Sequence, residues 1–169
     1  MIIAVSGSSG TGKSTIASNL AKKLKYKYLD LNKFIKEKKL TGKYIKNLDT
    51  YEVDIDKLNN YMKSFLKNND NLIVDSHLSH YLPSKYTDYC VICKCDLKVL
   101  KKRLKLKGYN DTKIRENLNS EIFDVCLVEA TENKHNVIIV DTSRKNVNAC
   151  VNDILKKIKK LDSKSSVSF

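Results

Sequence analysis

Residues 7–14 read Gly-Ser-Ser-Gly-Thr-Gly-Lys-Ser, a complete G-x-x-x-x-G-K-S loop directly behind the mostly apolar run Ile2-Ile3-Ala4-Val5-Ser6. The motif constrains the fold at once, because it serves only between the end of a strand and the start of a helix. Its glycines let backbone N–H groups turn inward around an anion. Lys13 neutralises the outer phosphates, and the Ser14 hydroxyl is of the kind that meets magnesium. The flanks agree: Ile2 to Ser6 predicts a short strand, and Ser14 to Leu24 carries Ile16, Ala17, Leu20 and Leu24 at helical spacing. Binding of a nucleoside triphosphate is the implied property.

The alternation continues downstream. Tyr26 to Leu31 predicts a second strand, Asn32 to Lys39 a short basic helix, and Thr41 to Thr50 a polar loop or lid. Leu58, Tyr61, Met62, Phe65 and Leu66 share a helical face, and Leu72-Ile73-Val74-Asp75 is an apolar strand closed by a carboxylate. Further strands are predicted at Cys90 to Lys94 and Val137 to Val140. Helices are predicted from Leu97 to about Leu106 and, beyond Gly108, from Thr112 to Glu132, with Ile114, Leu118, Ile122, Val125 and Val128 as its apolar stripe. Val147, Val151, Ile154, Leu155 and Ile158 mark a last helix, and 162–169 reads as a disordered tail. Five apolar strands alternating with helices predict an α/β fold, a five-stranded parallel sheet covered on both faces.

The 169 residues suit one domain, over 1–161. No stretch approaches the ~18 apolar residues of a membrane span, and the chain enters strand and loop with no leader pattern, so a cytoplasmic protein without membrane partners is expected. The five cysteines, Cys90, Cys93, Cys95, Cys126 and Cys150, argue against a disulfide framework. Cys90 and Cys93 form a C-x-x-C, but on a strand they point to opposite faces, which favours core thiols over a zinc site. The formal charge of +13 fits either an RNA or other polyanion partner or a lysine-rich, soluble surface.

Asp75 ends a buried strand, where a carboxylate in a doubly wound sheet faces the ligand crevice and can orient magnesium through water; a helix cap or a lysine partner is the plainer alternative. His77 lies within reach of the same crevice, either positioning a water or serving as a hydrogen-bonded structural residue. His80 and His135 read as surface or loop residues. Lys98, Lys101, Lys102, Arg103, Lys105, Lys107, Lys113 and Arg115 face the single acid Asp111. Arg103 and Lys107 share a helix face and can stabilise charge on a transferring phosphoryl group, the alternative being a solvated basic face.

Four stretches together carry a resemblance: Gly-Ser-Ser-Gly-Thr-Gly-Lys-Ser-Thr at 7–15, Val-Asp-Ile-Asp-Lys-Leu at 53–58, Ile-Val-Asp-Ser-His at 73–77, and Arg-Leu-Lys-Leu-Lys-Gly-Tyr running on to Glu-Asn-Leu-Asn-Ser-Glu-Ile-Phe at 103–123. Over roughly residues 1 to 160 the chain resembles the adenylate kinase isoenzyme 6 family, also described as coilin-interacting nuclear ATPases, which are ribosome-assembly factors. The resemblance implies a nucleoside monophosphate kinase-like fold in which Gly10, Gly12, Lys13, Ser14, Thr15 and Lys107 hold ATP. It makes Asp75 and His77 the magnesium and water-positioning pair, 30–53 the monophosphate-binding part and 106–116 the lid.

Transfer of phosphate from magnesium-ATP to AMP, ATP hydrolysis, and contact with a small-subunit ribosomal protein and the small ribosomal subunit are implied with it, in the cytoplasm, or in the nucleus of a eukaryote. Lys36, Lys94 and Lys107 stand where similar proteins usually carry arginine, which removes a bidentate fork from acceptor binding and lid closure. An ATP-gated assembly factor with little kinase activity, or a phosphotransferase for another small acceptor, remain open alternatives.

Overall fold

Along β1 (Ile2–Ser6), Ile3 and Val5 pack on one side of the sheet, and Ile2 and Ala4 on the other. A strand buried on both faces needs cover on both, and this decides the architecture of the computed structural model, which describes residues 1–165. The parallel sheet has the order β2-β5-β1-β6-β7, with β2 at Lys27–Asp30, β5 at Leu72–Asp75, β6 at Tyr89–Lys94 and β7 at Val137–Asp141. One face is covered by α1 (Lys13–Leu24) and α7 (Val147–Ser165) through Ile16, Leu20, Val151, Ile154 and Ile158. The other is covered by α2 (Leu31–Glu37), α3 (Ile55–Lys67) and α6 (Val125–Glu132), through Phe34, Leu58, Met62, Cys126 and Ala130. The expected fold class is therefore the observed one.

Cys90 and Cys93 fall on opposite faces of β6, in different apolar clusters, and all five cysteines are buried free thiols. A small separate cluster joins Cys95 to Leu100 and Leu104 of α4 (Leu97–Leu106) and Ile114 of α5 (Asp111–Ile122). Among the described residues, no helix is long and apolar enough to cross a membrane.

Several expectations need correction. The stretch expected as loop forms an antiparallel hairpin, β3 (Thr41–Ile45) and β4 (Thr50–Val53), pairing Tyr44 with Tyr51. Its side chains are mostly exposed, so no apolar alternation announces it. The helix expected from Thr112 to Glu132 is broken at Asp124, whose φ of 53° is left-handed. The break turns Ile122 and Val128 outward and puts Cys126 and Ala130 in the core instead. Helix α7 continues to Ser165, through the start of the expected tail, and 166–169 lie outside the described residues.

Candidate active site

The loop at 7–14 leaves β1 between β5 and β6, at the carboxyl ends of the central strands, where the strand order reverses and ligands of such sheets collect. Close packing fixes it from behind. Gly7 has φ 141°, and a Cβ there would meet the Cys93 carbonyl at 2.6 Å. Gly12, at φ 86°, turns the chain into α1, so the loop's N–H groups and the helix N-terminus converge on the same space. Inside the loop the Thr11 hydroxyl donates to the Ser8 carbonyl at 2.8 Å, and Lys13 Nζ lies 3.5 Å from that oxygen. Burial lowers the Lys13 pKa; Asp75 opposes this, and Lys107 adds to it.

Two crevices meet at this loop. The first, about 600 Å³, is lined by Gly10, Gly12, Arg103, Thr142 and Asn146 among others. The second, about 780 Å³, runs from Ser8 and Ser9 past His77 to the β3–β4 hairpin and includes Lys36, Tyr44 and Tyr51. Lys13, Ser14 and Lys107 line both. Thr15 lines the first only.

Asp75 is buried at the end of β5, in register with Val5 of β1 and Asp30 of β2. Its Oδ2 accepts from the Tyr28 hydroxyl at 2.7 Å, whereas its Oδ1 is buried without a hydrogen-bond partner. It caps no helix and pairs with no lysine among the described residues. Asp75 itself lines neither crevice, but a serine hydroxyl and an unpartnered carboxylate oxygen are hard donors of the type magnesium takes, so Ser14 and Asp75 fit that ion by chemistry. His77 is exposed to the second crevice, and desolvation by the protein around its ring, with Lys13 and His80 nearby, pushes its pKa down to about 4. It is a neutral imidazole at neutral pH.

Arg103 stands beside the loop, on the wall of the first crevice. Its Nη2 donates to the Thr142 carbonyl at 2.9 Å, and its Nη1 to Thr142 Oγ1 at 3.2 Å and the Gly10 carbonyl at 3.4 Å. Thr142 in turn donates from Oγ1 to the Thr11 carbonyl at 2.6 Å, tying the end of β7 to the loop. The segment expected as lid folds over the loop: Ser9 Oγ is 3.1 Å from the Tyr109 hydroxyl, and the Ser9 N–H donates to Asn117 Oδ1 at 2.9 Å. It also reaches the hairpin, with Asn110 Nδ2 donating to the Asn47 carbonyl at 3.4 Å and Lys113 Nζ to the Asp49 carbonyl at 3.0 Å.

Lys94, which the resemblance associates with acceptor binding or lid closure, lines neither crevice. It pairs with Asp124 and, at 3.0 Å, with buried Glu121. Burial lowers its pKa, but hydrogen bonds to Asp124 and Glu121 outweigh this and raise it overall. His80 and His135, expected as surface or loop residues, are 2% and 8% exposed, and His135 lies in the loop before β7. Sequence reading also passed over Tyr28, Thr142 and the hairpin tyrosines. Thr142 had a usable signal, since it follows an apolar strand at its carboxyl end, as Asp75 ends one.

Residues 3–124 match a family model described as AAA domain. A Pyrococcus furiosus protein named "Putative adenylate kinase" is 40% identical over 94% of this chain and 84% of its own length. A Caenorhabditis elegans protein named adenylate kinase isoenzyme 6 homolog is 34% identical over 77% of this chain and 72% of its own. The chain belongs to the adenylate kinase isoenzyme 6 family. Among solved structures, a deoxyadenosine kinase from M. mycoides superposes with a TM-score of 0.61 at 20% identity, covering 95% of this chain and 100% of that one, and shares the P-loop kinase fold. Within the isoenzyme 6 family this chain is thus a P-loop nucleotide kinase with two crevices flanking one phosphate loop.

Proposed function

We propose that the protein transfers the γ-phosphate of magnesium-ATP to AMP, giving two molecules of ADP, and hydrolyses ATP more slowly when no acceptor is present. The observation that carries this reading is that Lys13, Ser14 and Lys107 line both crevices. A phosphotransferase needs donor and acceptor pockets that meet at the transferring group. Gly10, Gly12, Lys13, Ser14 and Thr15 hold the ATP phosphates in the first crevice. The acceptor occupies the second, between α2 and the hairpin, in the part spanning 30–53. The lid, 106–116, closes over both.

Ser14 and Asp75 would hold magnesium, Asp75 through water, and the ion would supply positive charge against the outer phosphates. Tyr28 keeps one Asp75 oxygen occupied and leaves the other without a partner. Lys13, Arg103 and Lys107 face the charge that spreads over the equatorial oxygens in transfer, and positioning with electrostatics supplies most of the rate. His77, neutral and beside Asp75 in sequence, accepts a hydrogen bond from an attacking water when the acceptor crevice is empty. Lys13→Ala is expected to abolish both AMP-dependent ADP formation and phosphate release, measured by coupled assay and malachite green; retained turnover by either route would remove the site assignment.

A second reading rests on the exposed face of α4, where Lys98, Lys101, Lys102 and Lys105 border the first crevice's Arg103. In it, ATP turnover gates contact with a small-subunit ribosomal protein, or with RNA, during maturation of the small ribosomal subunit. ATP turnover compared without acceptor, with AMP, CMP, GMP, UMP or dAMP, and with small ribosomal subunits separates the readings. AMP-dependent ADP formation supports the kinase, stimulation only by the subunits supports the gate, and a response to another monophosphate names a different acceptor.

A further inference from the structure

On the wall of the second crevice, a fully hydrogen-bonded histidine connects the root of the phosphate loop to α6. His80 Nδ1 lies 2.7 Å from the Ser6 hydroxyl, and its Nε2 lies 2.8 Å from Glu129 Oε2. The His80 carbonyl accepts from His135 Nε2 at 3.0 Å and Asn133 Nδ2 at 3.1 Å, so backbone and ring are both pinned. A carboxylate only accepts, so the network assigns the proton to Nε2 and leaves Nδ1 to accept from Ser6. Burial lowers the His80 pKa against the opposing pull of Glu129, consistent with a neutral ring that serves as a fixed donor.

Glu129 is the open end of this chain. Its side chain is 30% exposed and lines the crevice beside Leu78, Tyr81, Val125 and Cys126. His80 and the Tyr81 hydroxyl both donate to the carboxylate, whose two oxygens offer about four acceptor positions, so lone pairs remain to spare. The same crevice is lined by the cations Lys13, Lys107 and Lys113. An acceptor that carries a phosphate therefore finds, in one crevice, cations for that phosphate and a rigid group that can only accept hydrogen bonds.

We propose that Glu129, held in place by His80, is a specificity-determining residue that accepts a hydrogen bond from an N–H or O–H donor on the nucleoside part of the acceptor. The inference rests on the proposed acceptor role of the second crevice. Two sources carry this chemistry, an exocyclic amino group of the base and a ribose hydroxyl. A phosphate or a carbonyl edge would be repelled or left unpaired at the same position, and a site built around a hydrogen bond discriminates strongly against partners that lack it.

The test compares kcat/KM for AMP, IMP, 2′-deoxy-AMP and 3′-deoxy-AMP in wild type and in Glu129→Gln. IMP exchanges the amino group for an oxo group, and the deoxynucleotides remove one hydroxyl each. Wild type is expected to favour AMP over one of these analogues by at least about tenfold, which identifies the donor. In Glu129→Gln, whose amide can donate as well as accept, that preference falls several-fold or more. Glu129→Asp keeps the charge but shortens the reach, and is expected to raise KM for AMP more than it lowers kcat, with folding checked by thermal unfolding. A wild type that uses AMP, with analogue ratios unchanged in both variants, overturns this inference alone. A wild type inert with every monophosphate overturns the acceptor role of the crevice and this inference with it.

Discussion

Asp75 and His80 were read very differently from the sequence, and the difference lies in what each neighbour supplies. Asp75 closes an apolar strand, so its place at the carboxyl end of the sheet follows from chain direction alone. That one of its oxygens is taken by Tyr28 does not follow, because the contact crosses from β2 to β5. His80 follows a polar, turn-forming stretch, and its burial arises only when α6 and Ser6 close around it. Its protonation state has a measurable consequence. The folded pKa of His80 is lowered from 6.5, as is that of His77, so the unfolded chain takes up the extra proton first. Stability from these groups is complete above about pH 6.5 and lost as pH falls through the acid side. The thermal unfolding midpoint is expected to drop between about pH 6.5 and 5, above the range of ordinary carboxylates, and His80→Gln is expected to flatten part of that slope in differential scanning calorimetry.

Elements with an apolar period were legible; those organised by polar pairs were not. β1, β5, β6 and β7 and the helices α1, α3, α4 and α7 announce themselves by what they bury. The hairpin is held by pairing between strands that face water, and the α5–α6 break contains neither glycine nor proline. What sets that break is the ion cluster beneath it. Lys94 at the end of β6 pairs with Glu121 near the end of α5 and with Asp124 in the turn, while Glu121 Oε1 also accepts from the Cys95 N–H at 2.8 Å. Lys94→Met removes the cation and leaves buried Glu121 without its counter-charge. The expected loss is about 3 kcal/mol, a fall in Tm on the order of 10 °C, with little change in AMP KM because Lys94 lines neither crevice. A large rise in KM with unchanged Tm would return Lys94 to the acceptor site.

At the scale of the whole molecule, one loop serves as the wall between two crevices, and α5 is bonded to both sides of the second. Ser9 reaches Asn117 and Tyr109, while Lys113 and Asn110 reach the hairpin at Asp49 and Asn47. Lys113→Ala cuts the stronger of the two hairpin contacts. Initial-rate measurements across a grid of ATP and AMP concentrations are expected to show wild-type KM for AMP falling as ATP rises, and that dependence shrinking in the variant; equal dependence in both would detach the hairpin from the lid. Flaps joined in this way cannot open singly. Under the proposed reading, whatever factor ATP adds to AMP affinity through this clasp, AMP adds to ATP affinity, by reciprocity. Under that reading product escape breaks both contacts, so the clasp bears on residence time as well as affinity.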